Sequence, residues 1–178
     1  MYQILKNNKL LSLHIMVIFL GFTGVLGKLI TLETSYLVWH RMFIAFVALF
    51  FFLLLKKQIL SINKKDILPL MGVGAIVALH WFFFFGAIKV ANISVAVICL
   101  ATASLFSAFM EPIFFKRKLL KYEVIVGLIV VGALAFVMGA EKKYLLGYFY
   151  GIMAAFFGTL FTLFNAKYIK KIGSLVTK

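Results

Sequence analysis

Residues Ile93–Phe115 read ISVAVICLATASLFSAFMEPIFF, a run whose only charge is Glu111. A helix crossing the hydrocarbon core of a bilayer needs about 20 predominantly apolar residues, and this run has both the length and the composition. Working outward, five more windows of the same kind appear: Leu11–Ile30, Tyr36–Leu55, Ile67–Ile88, Tyr122–Ala140 and Gly147–Ala166. None shows the period-two alternation of a barrel strand, and all are too long for one. Backbone groups in lipid must find partners within their own segment, so runs of this length predict helices. The expected fold is an all-α polytopic membrane protein with six transmembrane helices. The whole chain agrees, since 65% of its 178 residues are hydrophobic against about 45–50% apolar in a soluble domain.

Charge is scarce and one-sided, with 19 Lys+Arg against 5 Asp+Glu. The bases sit between apolar blocks, which points to the anionic face of a lipid bilayer and away from nucleic acid. With the N-terminus inside, fourteen of the 19 bases fall on inner segments, from Lys6 and Lys57 through Lys116, Arg117 and Lys118 to Lys178. The outer side holds the other five: Lys28, Arg41, Lys89, Lys142 and Lys143. That bias predicts both termini in the cytoplasm, and with no long targeting extension visible the cytoplasmic membrane is the expected location. Lys6 and Lys9 before an apolar run imitate a signal peptide, but no small-x-small cleavage site follows, so a retained first helix is expected. Cys99 is the only cysteine, which excludes an intrachain disulfide and leaves a buried, inert thiol as the expectation.

Lipid tails are as apolar as leucine, so small residues that let backbones approach must hold such helices together. Gly21, Gly24 and Gly27 recur in the first window, and Gly147, Gly151 and Gly158 share roughly one face of the sixth. Ala101, Ser104, Ala108 and Glu111 form a stripe on the fourth. The bulky runs Phe50–Phe52 and Phe82–Phe85 are expected to face lipid over much of their circumference. Trp39, Trp81, Tyr36, Tyr144 and Tyr148 fall where an aromatic belt belongs. Asn92 and Asn165 are expected to cap or bridge helix ends.

Ionisable groups within a bilayer are costly and therefore informative. Glu111 lies about one turn inside the inner end of the fourth helix, before Pro112, where a lost backbone donor predicts a bend. It could exchange a proton or bind a cation, or it could pair with Lys116 or another basic loop residue. Lys28, His40, Arg41 and His80 lie in the outer half and could form a cationic vestibule for an anionic group. Alternatively, Lys28 and Arg41 snorkel to headgroups while His80 bonds between helices. A direct Glu111–Arg41 pair is disfavoured by a depth difference of roughly 15 Å on helix-rise arithmetic.

No His-Glu-x-x-His helix, Gly-x-Ser-x-Gly elbow, phosphate-binding glycine loop or Cys/His/Asp cluster at metal spacing is present. An enzyme, a metal site and a bound cofactor are therefore not expected. The order of motifs resembles EamA-type permeases of the drug/metabolite transporter superfamily. Phe19–Lys28, FLGFTGVLGK, is similar to that family's small-residue-rich first helix ending near a lysine. Arg41–Ala48, RMFIAFVA, fits its second helix, and Phe85–Val97, FGAIKVANISVAV, its third-to-fourth connection. Ala103–Leu119, ASLFSAFMEPIFFKRKL, resembles the fourth helix and its exit loop, although that loop is basic here and usually carries an acid. Gly127 and Gly132 fit the close of a repeat.

The resemblance implies inverted five-helix repeats and a secondary transporter of small metabolites or drugs, expected to be an exporter working by alternating access. Residues 1–140 would be one repeat and 141–178 the first helix of a second, so the chain is expected to be truncated. A missing C-terminal half or a second copy would complete it. Lys28, Arg41 and His80 are then candidates for binding a small-molecule substrate, and Glu111 and His80 for proton coupling. A non-transporting membrane scaffold, or a remnant of a ten-helix permease, is the alternative.

Overall fold

The computed structural model describes residues 9–56, 64–140 and 142–176, and among these there is no strand. Lys6, Lys57 and Lys178, counted above with the inner bases, lie outside the described residues. The helices are α1 (Lys9–Leu29), α2 (Thr34–Leu55), α3 (Lys64–Val90), α4 (Ile93–Leu100), α5 (Ala103–Phe115), α6 (Lys121–Ala140) and α7 (Leu145–Val176), with a 3-10 turn over Lys142–Tyr144. They supply six spans long and apolar enough to cross a membrane, and the fourth is α4 and α5 together. The apolar windows of the sequence coincide with these spans except at their ends, where charged and aromatic residues extend the helices past the lipid-compatible core.

The fourth span is broken in a place the sequence reading missed. Helical bonding gives way to tighter bonds at mid-span, Ala101 N to Ile98 O at 3.2 Å and Thr102 N to Cys99 O at 3.1 Å. The hydroxyls of Thr102 and Ser104 donate back to Cys99 O and Ala101 O at 2.7 and 2.8 Å. Side chains that bond the preceding turn compete with the backbone ladder, and here two of them flank one point. Pro112 lies inside α5, which runs on to Phe115. The helix ends at Lys116, in the left-handed region at φ 53° and ψ 32°. At the other end of the span Asn92 caps α4, its Oδ1 accepting from Val95 N at 2.9 Å, as expected.

The core lies where α3 meets α7. Phe84, Phe85, Ala87 and Ile88 are buried with Ala96 and Ala154, and a second cluster joins Val95, Cys99, Leu134 and Tyr148. The glycines of α7 explain the close approach. A Cβ at Gly147 would lie 2.4 Å from Ala91 Cβ, one at Gly151 2.5 Å from Cys99 Cβ, and one at Gly158 2.8 Å from His80 Nδ1. Only hydrogen fits these positions, so the three glycines are a packing seam. In α1, Gly27 meets Phe85 in the same way, whereas Gly21 faces nothing within 4 Å.

Two expectations about aromatic residues are corrected. Phe84 and Phe85 are 6% and 2% exposed, so the Phe82–Phe85 run is core and not a lipid face. Tyr148 is fully buried and is no belt residue. A run of four phenylalanines must place some side chains on every face of a helix, and α3 is enclosed on several sides at that height. Phe50, Phe51 and Phe52 are exposed, as expected, because α2 touches the bundle mainly through α3.

Candidate functional site: a mid-span cavity

Three helices that each carry a polar interruption converge at mid-depth. His80 is on α3, whose centre is near Val77, and Thr159 and Gly158 are close to the centre of the Lys142–Tyr168 span. The Ala101–Thr102 break lies close to the centre of the fourth span. Between them is a cavity of about 570 Å³ whose polar lining is His80, Trp81, Ser107, Thr159 and Thr162, with apolar groups such as Leu100 and Phe161 between. Its size falls within the range of about 300–1,000 Å³ typical of small-molecule sites.

The side chains are held in place by their backbone neighbours. His80 Nδ1 lies 2.8 Å from Ala154 O on α7, which ties α3 to α7 across the seam. The imidazole stacks on Phe84 at 6.3 Å and meets Trp81 edge-on at 5.0 Å. Thr159 Oγ1 donates to Ala155 O at 2.9 Å and Thr162 Oγ1 to Gly158 O at 2.9 Å. The sequence reading found His80 but missed Ser107, Thr159 and Thr162. Their signal was hydroxyl residues within otherwise apolar spans, with Thr159 and Thr162 one turn apart.

Lys28, His40, Arg41 and His80 do not gather into one vestibule. Arg41 holds its guanidinium 3.9 Å above the Trp81 ring and 5.7 Å from that of Phe85. It and His40 line a separate cavity of about 480 Å³ between α1 and α2. Lys28 is exposed in the last turn of α1. Trp81, half-buried between Arg41 and His80, is what relates these two candidates. Lys89, at the end of α3, donates through Nζ to Ile30 O and closes the C-terminus of α1, a role the sequence reading did not assign.

Glu111 sits in a small cleft of about 180 Å³, between α5 and α6, that also includes Ser107. Its Oε2 accepts from Arg117 Nε at 3.0 Å, and the same guanidinium reaches Glu123 Oε2 at 2.8 Å. Arg117 thus joins the end of α5 to the first turn of α6, so the paired alternative for Glu111 is realised with Arg117 and not Lys116. The Glu123 hydrogen bond, then that of Glu111, raises the already high pKa of Arg117, which keeps the bridge charged. Ser107 lines both this cleft and the mid-span cavity.

No curated protein and no solved structure matches the chain significantly. The model of the EamA-like transporter family does match, over residues 8–139. That range starts at α1 and reaches the end of α6, and the six apolar spans are those of a multi-pass membrane protein. The chain therefore belongs to the EamA-like transporter family, in the drug/metabolite transporter superfamily.

Proposed function

We propose that the chain is a secondary transporter that exports small metabolites or drugs by alternating access, with its substrate held in the cavity between α3, α5 and α7. The observation that carries this reading is the coincidence of depth between the interrupted fourth span and a cavity with polar walls. Transporter sites lie near the bilayer midplane, where discontinuous helices meet at a repeat interface. Residues 1–140 are read as one five-helix repeat and 141–178 as the start of a second, inverted one. The family match ending at residue 139 supports that division. The cavity then lies between repeats, since α3 and α5 belong to the first and α7 to the second. The bias of the bases supports reading both termini as cytoplasmic, in a cytoplasmic membrane.

Proton coupling is assigned to His80. No other residue of the cavity lining titrates, and Arg41 is the charge that faces the ring, across Trp81. Protonation at Nε2 would remove an acceptor and add a charge, so proton and substrate compete for one site. Ser107 and Glu111 offer a polar route from that site to the inner surface, with Glu111 bonded to Arg117. A second reading puts an anionic group in the cavity between α1 and α2, favoured by Arg41 and His40 lining it together.

The test uses inverted membrane vesicles carrying the full chain, energised with a pH gradient and offered a yeast-extract metabolite mixture read by mass spectrometry. Vesicles with the chain should accumulate compounds that Ala103→Trp vesicles do not, because the indole fills the cavity. Burial of Cys99 checks that the variant is folded. No chain-dependent accumulation would leave a non-transporting scaffold as the better account.

A further inference from the structure

The polar atoms of the mid-span cavity are arranged asymmetrically. His80 Nδ1 faces the carbonyl oxygen of Ala154 at 2.8 Å, and a carbonyl only accepts, so Nδ1 carries the proton. A neutral ring then keeps a lone pair at Nε2. Thr159 and Thr162 have spent their protons on Ala155 O and Gly158 O, and they too keep lone pairs. Three groups therefore offer acceptors. Trp81 and Ser107, which also line the cavity, carry an indole N–H and a hydroxyl that can donate.

The lining holds no fixed charge, and the cation of Arg41 stands one aromatic ring away. An ammonium group entering here would lose water, gain no counter-charge and face that cation. A carboxylate would be drawn by that cation and could accept from Trp81 and Ser107, but it would lose water, meet three sets of lone pairs and find no cation in the lining to pair with. Neither ion recovers its hydration at mid-span. A carboxamide satisfies both sides of the site at once, because its N–H groups donate and its carbonyl accepts. The remaining walls are apolar or aromatic, Leu100 and Phe161 among them, and suit a ring.

We propose that the cavity selects uncharged carboxamides carried on an aromatic body, with the amide N–H groups on His80, Thr159 and Thr162 and the carbonyl on Ser107 or Trp81. This rests on reading the cavity as the transport site. The test is equilibrium binding of tritiated naphthylacetamide to the full chain in nanodiscs, set against three probes of similar shape. N,N-dimethyl-naphthylacetamide lacks the donors, naphthylacetate is an anion and naphthylmethylamine a cation.

The primary amide should bind about ten-fold more tightly than the dimethyl amide, the equivalent of one to two neutral hydrogen bonds, and more tightly still than either ion. Thr159→Val keeps the side-chain shape and removes the lone pairs. It should weaken the primary amide several-fold and leave the dimethyl amide unchanged. Equal binding of the acetate or the dimethyl amide would overturn the proposal, as would a Thr159→Val loss shared by all four probes. If the amide does not bind while Ala103→Trp still abolishes accumulation from the extract, the ligand class is wrong and the cavity stands. If both experiments fail, both readings fall.

Discussion

Gly158→Ala is the sharpest test of how α3 and α7 are joined. The new Cβ would stand 2.8 Å from His80 Nδ1 and 3.0 Å from Cε1, well inside van der Waals contact. The ring cannot yield without leaving Ala154 O, to which it is bonded at 2.8 Å, and pressing on Trp81 and Phe84. Overpacking a well-filled contact costs about 1–3 kcal/mol, and an interhelical hydrogen bond in a membrane contributes about 0.6–1.7 kcal/mol. In a soluble helix alanine would recover part of this through propensity. In a bilayer the unfolded reference keeps its helices, because backbone groups there have no other partners. That offset is therefore largely absent, and the expected loss is about 2–4 kcal/mol.

The lone cysteine provides the assay. Cys99 is fully buried, so a thiol-reactive dye reports its exposure as the protein is unfolded in detergent. Gly132→Ala is the control, since a Cβ there meets nothing within 4 Å. His80→Ala in the Gly158→Ala background should recover at least about 1 kcal/mol, because the clash disappears with the ring. The reasoning fails if Gly158→Ala falls within about 0.5 kcal/mol of the control, the scatter of ordinary surface substitutions. It also fails if removing the ring brings no relief.

Gly86→Ala should also destabilise, by about 1–3 kcal/mol in the same assay, because its Cβ would lie 2.6 Å from the Tyr150 ring. Asn92→Ala removes the cap on Val95 N and should cost about 1 kcal/mol, read the same way. Arg117→Lys should speed amide exchange across residues 116–123, because an ammonium cannot hold Glu111 and Glu123 with the planar fork of a guanidinium. Lys116→Gly should stabilise by up to about 1 kcal/mol, since glycine adopts the left-handed region freely and lysine does not. Amide binding should weaken as pH falls through the titration of His80 and be unaffected by that titration in His80→Phe, measured with naphthylacetamide in nanodiscs.

Much of this protein is legible without coordinates because the bilayer imposes a one-dimensional rule. Hydrocarbon thickness sets span length, and lipid leaves the backbone no partner outside its own helix. Six apolar runs therefore became six spans, and the glycines of the sixth became the seam they suggested. Asn92 could be read as a cap from its place before an apolar run. Which side of each helix meets another helix was not legible in the same way. Lipid and core are equally apolar, so hydrophobicity does not distinguish the buried Phe84 and Phe85 from the exposed Phe50 and Phe51. Likewise nothing local told His80, facing α7, from Arg41, stacked on Trp81, or chose Arg117 over Lys116 for Glu111. The break at Ala101–Thr102 came from two hydroxyls folding back on their own turn, about ten residues before Pro112. The sequence by itself determined that there are six apolar spans and roughly where each lies, because those depend on length and polarity along the chain. The cavity was decided by the tertiary structure alone, because it exists only where three helices, up to about 80 residues apart in sequence, bring their few polar groups to one depth.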